Sequence, residues 1–414
     1  MDRYLFHLLL SCCLLLGTAV AVNGLADPYG IFGTPLLKGI NETKPAVATN
    51  RRIFKMVGYA RQKMDALILG TSRADAGLSP KHEGFLGQRA VNLATPAQTN
   101  AETELIFKFV AERSDLKTAV VGLDFFASNA WLTAPDDFTP DNFAADRKWQ
   151  LLLSFDTLLA SGKSLFRPGK PPIRPDQTRE NKPKKYSRQA FLASEKSYMW
   201  GGTYLPSPEC RYAFEADRME RGKRYRSDPL SALRAIIALA HRRHVKLYLF
   251  ISPSHARQWE VLGAVGLWSR WEEWKRRLVR INREEAERFE QAPFPLWDFS
   301  GYHSVSTEDL PEAGSRAGML GYIDSSHYQP AVGDLVLDRL FNLKATGRAL
   351  PGDFGVNLTP TTVEPHLAAL RQAREHYRQS HPADIAEIEA MALQAKRESS
   401  CKEDGADLVA LKKQ

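Results

Sequence analysis

Cysteine is scarce: the 414 residues hold four, and Cys12 and Cys13 sit inside an N-terminal apolar run. That leaves Cys210 and Cys401, which either pair with one another or remain two separate thiols, so a multiply stapled small scaffold is excluded. No cysteine–histidine cluster has the spacing of a zinc site. No internal repeat is apparent, which argues against a solenoid. Nucleic-acid-binding motifs are missing too, and with an export signal at the N-terminus nucleic acid is not an expected partner. Long apolar runs are absent except for one.

That run extends from Tyr4 to Val22, interrupted only by His7, Ser11 and Thr18. Its length nearly matches the roughly 20 residues that a membrane-spanning helix needs. Ala19-Val20-Ala21 has the small residues of a cleavage site, while the positive flank is only Arg3 and the terminal amine, so residues 1–22 read as a signal-anchor or a signal peptide. The expectation is a single-pass protein of the inner membrane with its globular part in the periplasm or outside. The net charge of +8 is uneven. Between Lys163 and Arg188 nine basic residues face only Asp176 and Glu180, among five prolines. This reads as an exposed loop, either a contact for anionic polymer or lipid headgroups or a solvated insertion with no partner.

Residues 23–64 read as a Pro/Gly-rich connector and a helix around Asn50 to Gln62, spacing the domain from the membrane. Strand-like and helix-like runs then alternate: Ala66 to Leu69, Ala90 to Ala94, a helix from Ala101 to Arg113, and Thr118 to Phe125. Alternation of this kind predicts a parallel sheet wrapped by helices. A segment over 127–226 interrupts it. Asp228 then caps a helix that opens on Pro229, and Val245 to Ile251 and Pro295 to Phe299 supply further strands. Trp268, Trp271 and Trp274 recur at helical spacing beside Leu278 and Ile281, as a core stripe or, less favoured, a carbohydrate-stacking face. The domain is therefore placed at 65–345, followed over 346–414 by a helical tail.

Two short strings carry the chemistry. Gly70-Thr71-Ser72-Arg73 follows the first strand, at the sheet edge where open α/β folds bind ligands. Asp324-Ser325-Ser326-His327 precedes Pro330 and the last helix of the domain. A serine hydroxyl needs an imidazole to take its proton, and the imidazole needs a carboxylate to fix its tautomer. Ser72, His327 and Asp324 fit those three roles. No metal is expected, since His255, Asp324 and His327 lack ligand spacing.

In these two strings the chain resembles the SGNH/GDSL hydrolase superfamily, and it looks most like the membrane-anchored branch associated with acyl transfer to cell-surface polymers. The resemblance covers roughly Asp65 to Phe341. It implies a flavodoxin-like three-layer sandwich with a central parallel sheet of about five strands. It further implies an esterase or O-acyltransferase without a cofactor, acting through an acyl-serine on an acylated polysaccharide or other envelope substrate, alongside proteins of an export or polymer-modification system. Ser72 matches the nucleophile, His327 the base and Asp324 its partner. The chain departs from the pattern in three places. Thr71 replaces an aspartate, Ala94 or Thr95 stands for the glycine of the second block, and Asp124 in Gly122-Leu123-Asp124-Phe125 takes the place of the asparagine that donates to the oxyanion. A missing donor of that kind costs on the order of 3 kcal/mol. Either Asp124 is protonated, or Asn92 or Asn129 substitutes, or Asp124 holds something else. Arg73 reads as an anion holder or as a salt-bridge partner, with Asp124 as the candidate acid. His255, on the same sheet edge, reads as a substrate contact or as a capping residue. The competing expectation is a degenerate hydrolase fold that serves polymer binding or assembly.

Overall fold

Buried apolar runs become strands and the capped amphipathic runs become helices around them. The computed structural model describes residues 2–135, 137–166, 174–176, 186–200, 212–220, 223–312, 315, 317–343 and 347–398. Cys210, Cys401 and most of the basic run between 163 and 188 lie outside the described residues. Helix α1 (Asp2–Ala26) is long and apolar enough to cross a membrane. Then come α2 (Pro45–Thr49) and a π-helical turn, Ile53–Val57. This connector is not a spacer, since Val47, Phe54, Met56 and Tyr59 enter the main core.

Strand β1 (Ala66–Leu69) leads through α3 (Ser72–Gly77) to β2 (Ala90–Asn92), and α4 (Asn100–Arg113) leads to β3 (Thr118–Leu123). The inserted segment adds α5 (Arg147–Leu152), α6 (Phe155–Phe166), α7 (Arg188–Trp200) and an antiparallel hairpin of β4 (Ala216–Glu220) and β5 (Lys223–Ser227). Helix α8 (Pro229–Arg243) starts where the Asp228 carboxylate accepts the Leu230 and Ser231 N–H groups and ends at His244 in the left-handed conformation. Strand β6 (Lys246–Ile251), α9 (Ala256–Ala264), α10 (Trp268–Arg288), β7 (Leu296–Asp298) and α11 (Pro330–Leu340) follow. Strand β8 (Val356–Asn357), α12 (Val363–Ser380) and α13 (Pro382–Glu398) close the described chain.

The central sheet has six strands in the order β2-β1-β3-β6-β7-β8, parallel except for β8. Alternate side chains point to opposite faces of each strand. Leu67, Leu69, Ala119 and Val121 meet Ile106 and Val110 of α4, Ile236 and Ile237 of α8, and Trp271 and Trp274 of α10. Ala66, Ile68 and Val120 meet Ala74 of α3 and Val332, Val336 and Leu340 of α11. Helices thus cover both faces, which is why the strands read as unbroken apolar runs. Trp271 and Trp274 are fully buried, so the tryptophan stripe is core.

The last 69 residues are not an appended tail as far as they are described. Strand β8 extends the sheet, and Val363, Leu367 and Leu370 join the main core. A buried polar knot fastens them. Lys275 Nζ lies 2.6 Å from Asp298 Oδ2 and 3.5 Å above the Trp271 ring, and His366 Nε2 lies 2.8 Å from the same carboxylate oxygen. These charges hold the Asp298 carboxyl below the usual range despite its burial.

Candidate active site

The chain leaves β1 for β2 on one side and returns to β3 on the other, so the carboxyl end of β1 is a switch point where a crevice opens. Gly70 makes the turn there. Its φ of +140° suits glycine, and a Cβ would come within 2.9 Å of the Ala74 Cβ and 3.2 Å of the Gly122 carbonyl oxygen. Thr71 caps α3, so Ser72 is its first residue. The second string is carried to the same place by α11, which packs against α3. At Gly333 a Cβ would sit 1.9 Å from the Gly77 carbonyl oxygen, so any side chain there pushes the two helices apart.

The close helix pair brings together Ser72 and His327, 255 residues apart. The Ser72 hydroxyl lies 2.7 Å from His327 Nε2, and His327 Nδ1 lies 3.0 Å from both oxygens of Asp324. The tautomer that satisfies this chain has Nδ1–H donating to Asp324 and Nε2 accepting from Ser72. Asp324 Oδ1 also accepts the N–H groups of Ser326 and His327, each at 2.8 Å, so a tight turn folds the acid back onto the imidazole three residues on. Burial alone would raise the Asp324 pKa; the His327 hydrogen bonds and charge, with the two N–H groups, hold it below the usual value. The acid is thus ionised and aimed, which is what an imidazole needs to take a proton from a hydroxyl.

Other residues singled out in the sequence are bound into structure. Asp124 accepts from Arg73 Nη1 at 2.7 Å and from the Thr71 hydroxyl at 2.5 Å. Arg73 is 3% exposed and also donates from Nε and Nη2 to the Ser326 hydroxyl. Arg73 is therefore a buried salt-bridge partner joining the ends of β1 and β3 to the second string, not an open anion holder. Asn92 donates to the carbonyls of Ala74 and Leu78 and accepts the Ala94 N–H. The Thr95 N–H meets Gln98 Oε1 and the Gly70 carbonyl, and the Asn129 side-chain oxygen accepts from Trp131 and Ala213. The second block supplies no open donor from Asn92, Ala94 or Thr95 because their polar groups hold the turns that shape it. Lys55, buried, pins this block by donating to the Asn92 and Ala94 carbonyls. The Ser72 N–H, at the first position of α3, has no acceptor among the described residues.

His255 is a capping residue. Nδ1 accepts the Arg257 N–H and Nε2–H donates to the Glu308 carbonyl at 2.6 Å, with the ring between Phe191 and Tyr322. Burial pushes its pKa down to about 4 from 6.5. The unfolded chain then takes up a proton first as pH falls, so this contribution to stability is complete above about pH 6.5 and is largely lost by about pH 4, a change of about 3 kcal/mol. His255→Asn keeps an N-cap acceptor and removes the titration. Urea unfolding at pH 7 and pH 4.5 is expected to show a smaller acid-induced loss in the variant than in the parent; equal losses would rule out His255 as the source.

Sequence reasoning missed the contribution of α7. Ser194 donates to Asp324 Oδ2 at 2.9 Å, and the neighbouring Glu195, 1% exposed, pairs with Arg257 at 2.6 Å. Arg257 in turn faces Asp384 and Glu387 of α13, each at 3.1 Å. The signal was a glutamate one turn after Phe191 on a buried helix face, a position that demands a cationic partner. Among the described residues one group of potential metal ligands lies close together, His82, Glu83 and Asp338. Arg348 donates to both of its carboxylates, so a guanidinium already occupies oxygens that a metal ion would need. Comparison with family models, characterised proteins and solved structures gives no significant match for this chain.

Proposed function

We propose that the protein is a membrane-tethered serine esterase or O-acyltransferase of the SGNH hydrolase type, built on a flavodoxin-like three-layer domain and acting on acyl esters of a cell-envelope or exopolysaccharide substrate. The observation that carries this reading is the unbroken chain of hydrogen bonds from Asp324 through His327 to the Ser72 hydroxyl. In the first half-reaction Ser72 Oγ attacks the acyl carbonyl while His327 Nε2 takes its proton. The C–O bond to the departing alcohol breaks, and that alcohol leaves with the proton from His327. In the second half-reaction a sugar hydroxyl or water gives its proton to His327 and attacks the acyl carbon, and the bond to Ser72 Oγ breaks as His327 returns the proton to that oxygen. The Ser72 N–H is the donor available to the tetrahedral oxyanion.

The second reading, a polymer-binding or assembly component, is favoured by one observation: the polar groups of Asn92, Ala94, Thr95 and Asp124 are already satisfied within the fold. A fluorophosphonate probe separates the two. The full chain in detergent is expected to be labelled at Ser72, while Ser72→Ala and His327→Ala show no labelling though both remain folded by circular dichroism, because the Ser72 hydroxyl has His327 as its partner. A folded parent chain that resists the probe would sink the esterase reading and leave the binding one.

A further inference from the structure

We infer that α5, α6 and the loop 34–40 form a membrane-interfacial platform beside α1, laying one defined face of the domain on the lipid headgroups. The inference rests on α1 being the membrane tether. From Tyr4 to Val22 the helix rises about 28 Å, which matches a hydrocarbon core of roughly 30 Å. Asn23 then sits at the edge of that core. It is also the residue the platform grips: Nδ2 donates to the carbonyls of Leu152 and Ser154 at 2.9 and 3.3 Å, and the Ser161 hydroxyl donates to Oδ1 at 3.0 Å. The loop wraps the same helix end, with the Thr34 hydroxyl on the Gly24 carbonyl and Asn41 Nδ2 on that of Leu25 at 2.7 Å. The segments bonded to these groups therefore lie at headgroup depth.

Their outer faces are apolar. Trp149 is 67% exposed, Leu153 57%, Phe155 69% and Leu159 53%, and Leu36, Leu37 and Ile40 are exposed in the loop that bonds the same helix end. Among the described residues outside α1, the other exposed large apolar side chains are only Leu86, Leu320 and Leu393. The inner face of α6 is packed, with Thr157, Ala160, Ser161 and Ser164 buried, so the outward row is the helix's second side. Exposed Lys38, Lys148 and Lys163 lie in the same segments, tryptophan is a usual interfacial residue, and lysines at that depth reach anionic headgroups. A surface of this kind next to a spanning helix is covered by lipid. It also fixes the tilt of the domain, and with it the height of the Ser72 crevice over the membrane.

The full chain, its four cysteines replaced by alanine, is reconstituted in vesicles of phosphatidylethanolamine and phosphatidylglycerol. Single nitroxide labels are placed through Leu37→Cys, Leu153→Cys and Phe155→Cys, with Leu86→Cys and Leu393→Cys as water-facing references and Leu9→Cys as reporter of the tether. Spin-label collisions with oxygen are expected to exceed those with a water-soluble nickel chelate at 37, 153 and 155, severalfold in ratio over positions 86 and 393. Ratios equal to the references, with position 9 in lipid, overturn the platform but not the tether. Exclusion of both quenchers at 153 and 155 means that protein covers the face, a second copy or another chain, and overturns it as well. A water-like position 9 overturns the tether and the platform together. Should the cysteine-free chain misfold by circular dichroism, brominated-lipid quenching of the native chain against Trp149→Phe decides: the native chain is expected to lose more fluorescence, and equal quenching overturns the platform.

Discussion

Asparagine at position 324 is expected to lower the rate of fluorophosphonate labelling of Ser72 by about 10⁴-fold while leaving the domain folded. The reason lies in how the two carboxylate oxygens divide their work. Oδ1 holds the turn by accepting the N–H groups of Ser326 and His327, and an asparagine oxygen accepts the same two bonds in a side chain of the same shape. The amide nitrogen then replaces Oδ2, which accepts from the Ser194 hydroxyl and lies 3.0 Å from His327 Nδ1, while Oδ1, at the same distance from Nδ1, already has both lone pairs taken by the two N–H groups. Facing an NH₂ group, the imidazole turns to its other tautomer, with Nδ1 accepting and the proton on Nε2. In that state Nε2 has no lone pair for the Ser72 proton, and the nucleophile stays a neutral alcohol. The measurement is the pseudo-first-order labelling rate beside the thermal midpoint. A labelling rate within tenfold of the parent would mean that His327 does not act as a base held by Asp324.

The architecture was legible where physics leaves one reading, and illegible where polar groups are buried. Strands β1, β3 and β6 are covered on both faces and so appear as apolar runs in the sequence; α8 announces itself through Asp228-Pro229 because a cap and a pre-set φ are local events. The antiparallel β8 is two residues long and the β4–β5 hairpin carries charge on its outer side, so neither has a period to find. Residues 347–398 looked solvated because their polar faces dominate the composition, whereas Val363, Leu367 and Leu370 dock α12 on the core and His366 fastens it to Asp298. Arg257, Glu195, Lys275 and Asp298 are fully buried ions. Ion pairs formed between distant segments leave no spacing rule behind, and this is why the support of Asp324 by α7 went unread. Gly-x-Ser and Asp-x-x-His were visible as local strings, but the close approach of α3 and α11 that joins them depends on Gly77 and Gly333, two glycines that look ordinary in one dimension.

Replacing Arg73 by methionine is expected to destabilise the domain by about 3–5 kcal/mol, the range for stripping one partner from a buried ion pair. Asp124, 2% exposed, would keep only the Thr71 hydroxyl as a donor, and a carboxylate without a cation at that depth is strongly disfavoured. Asp124→Asn is not the harmless swap that a search for an oxyanion donor suggests, because it leaves the Arg73 guanidinium facing an amide that has half of its atoms of the wrong polarity. The pair is therefore expected to behave as a unit: Arg73→Met with Asp124→Leu should recover most of the loss, since a well-packed apolar pair of similar volume is often as stable as the ions it replaces. Activity should not follow stability in that double variant. Arg73 Nε and Nη2 hold the Ser326 hydroxyl at 3.1 and 2.9 Å, and Ser326 lies between Asp324 and His327 in the turn that folds the acid onto the imidazole. Without the guanidinium that turn loses its tether to α3, so the double variant should unfold in urea near the parent midpoint yet label at least tenfold more slowly. Full recovery of both quantities would show that Arg73 only neutralises Asp124. Recovery of stability alone assigns it to holding His327 over Ser72.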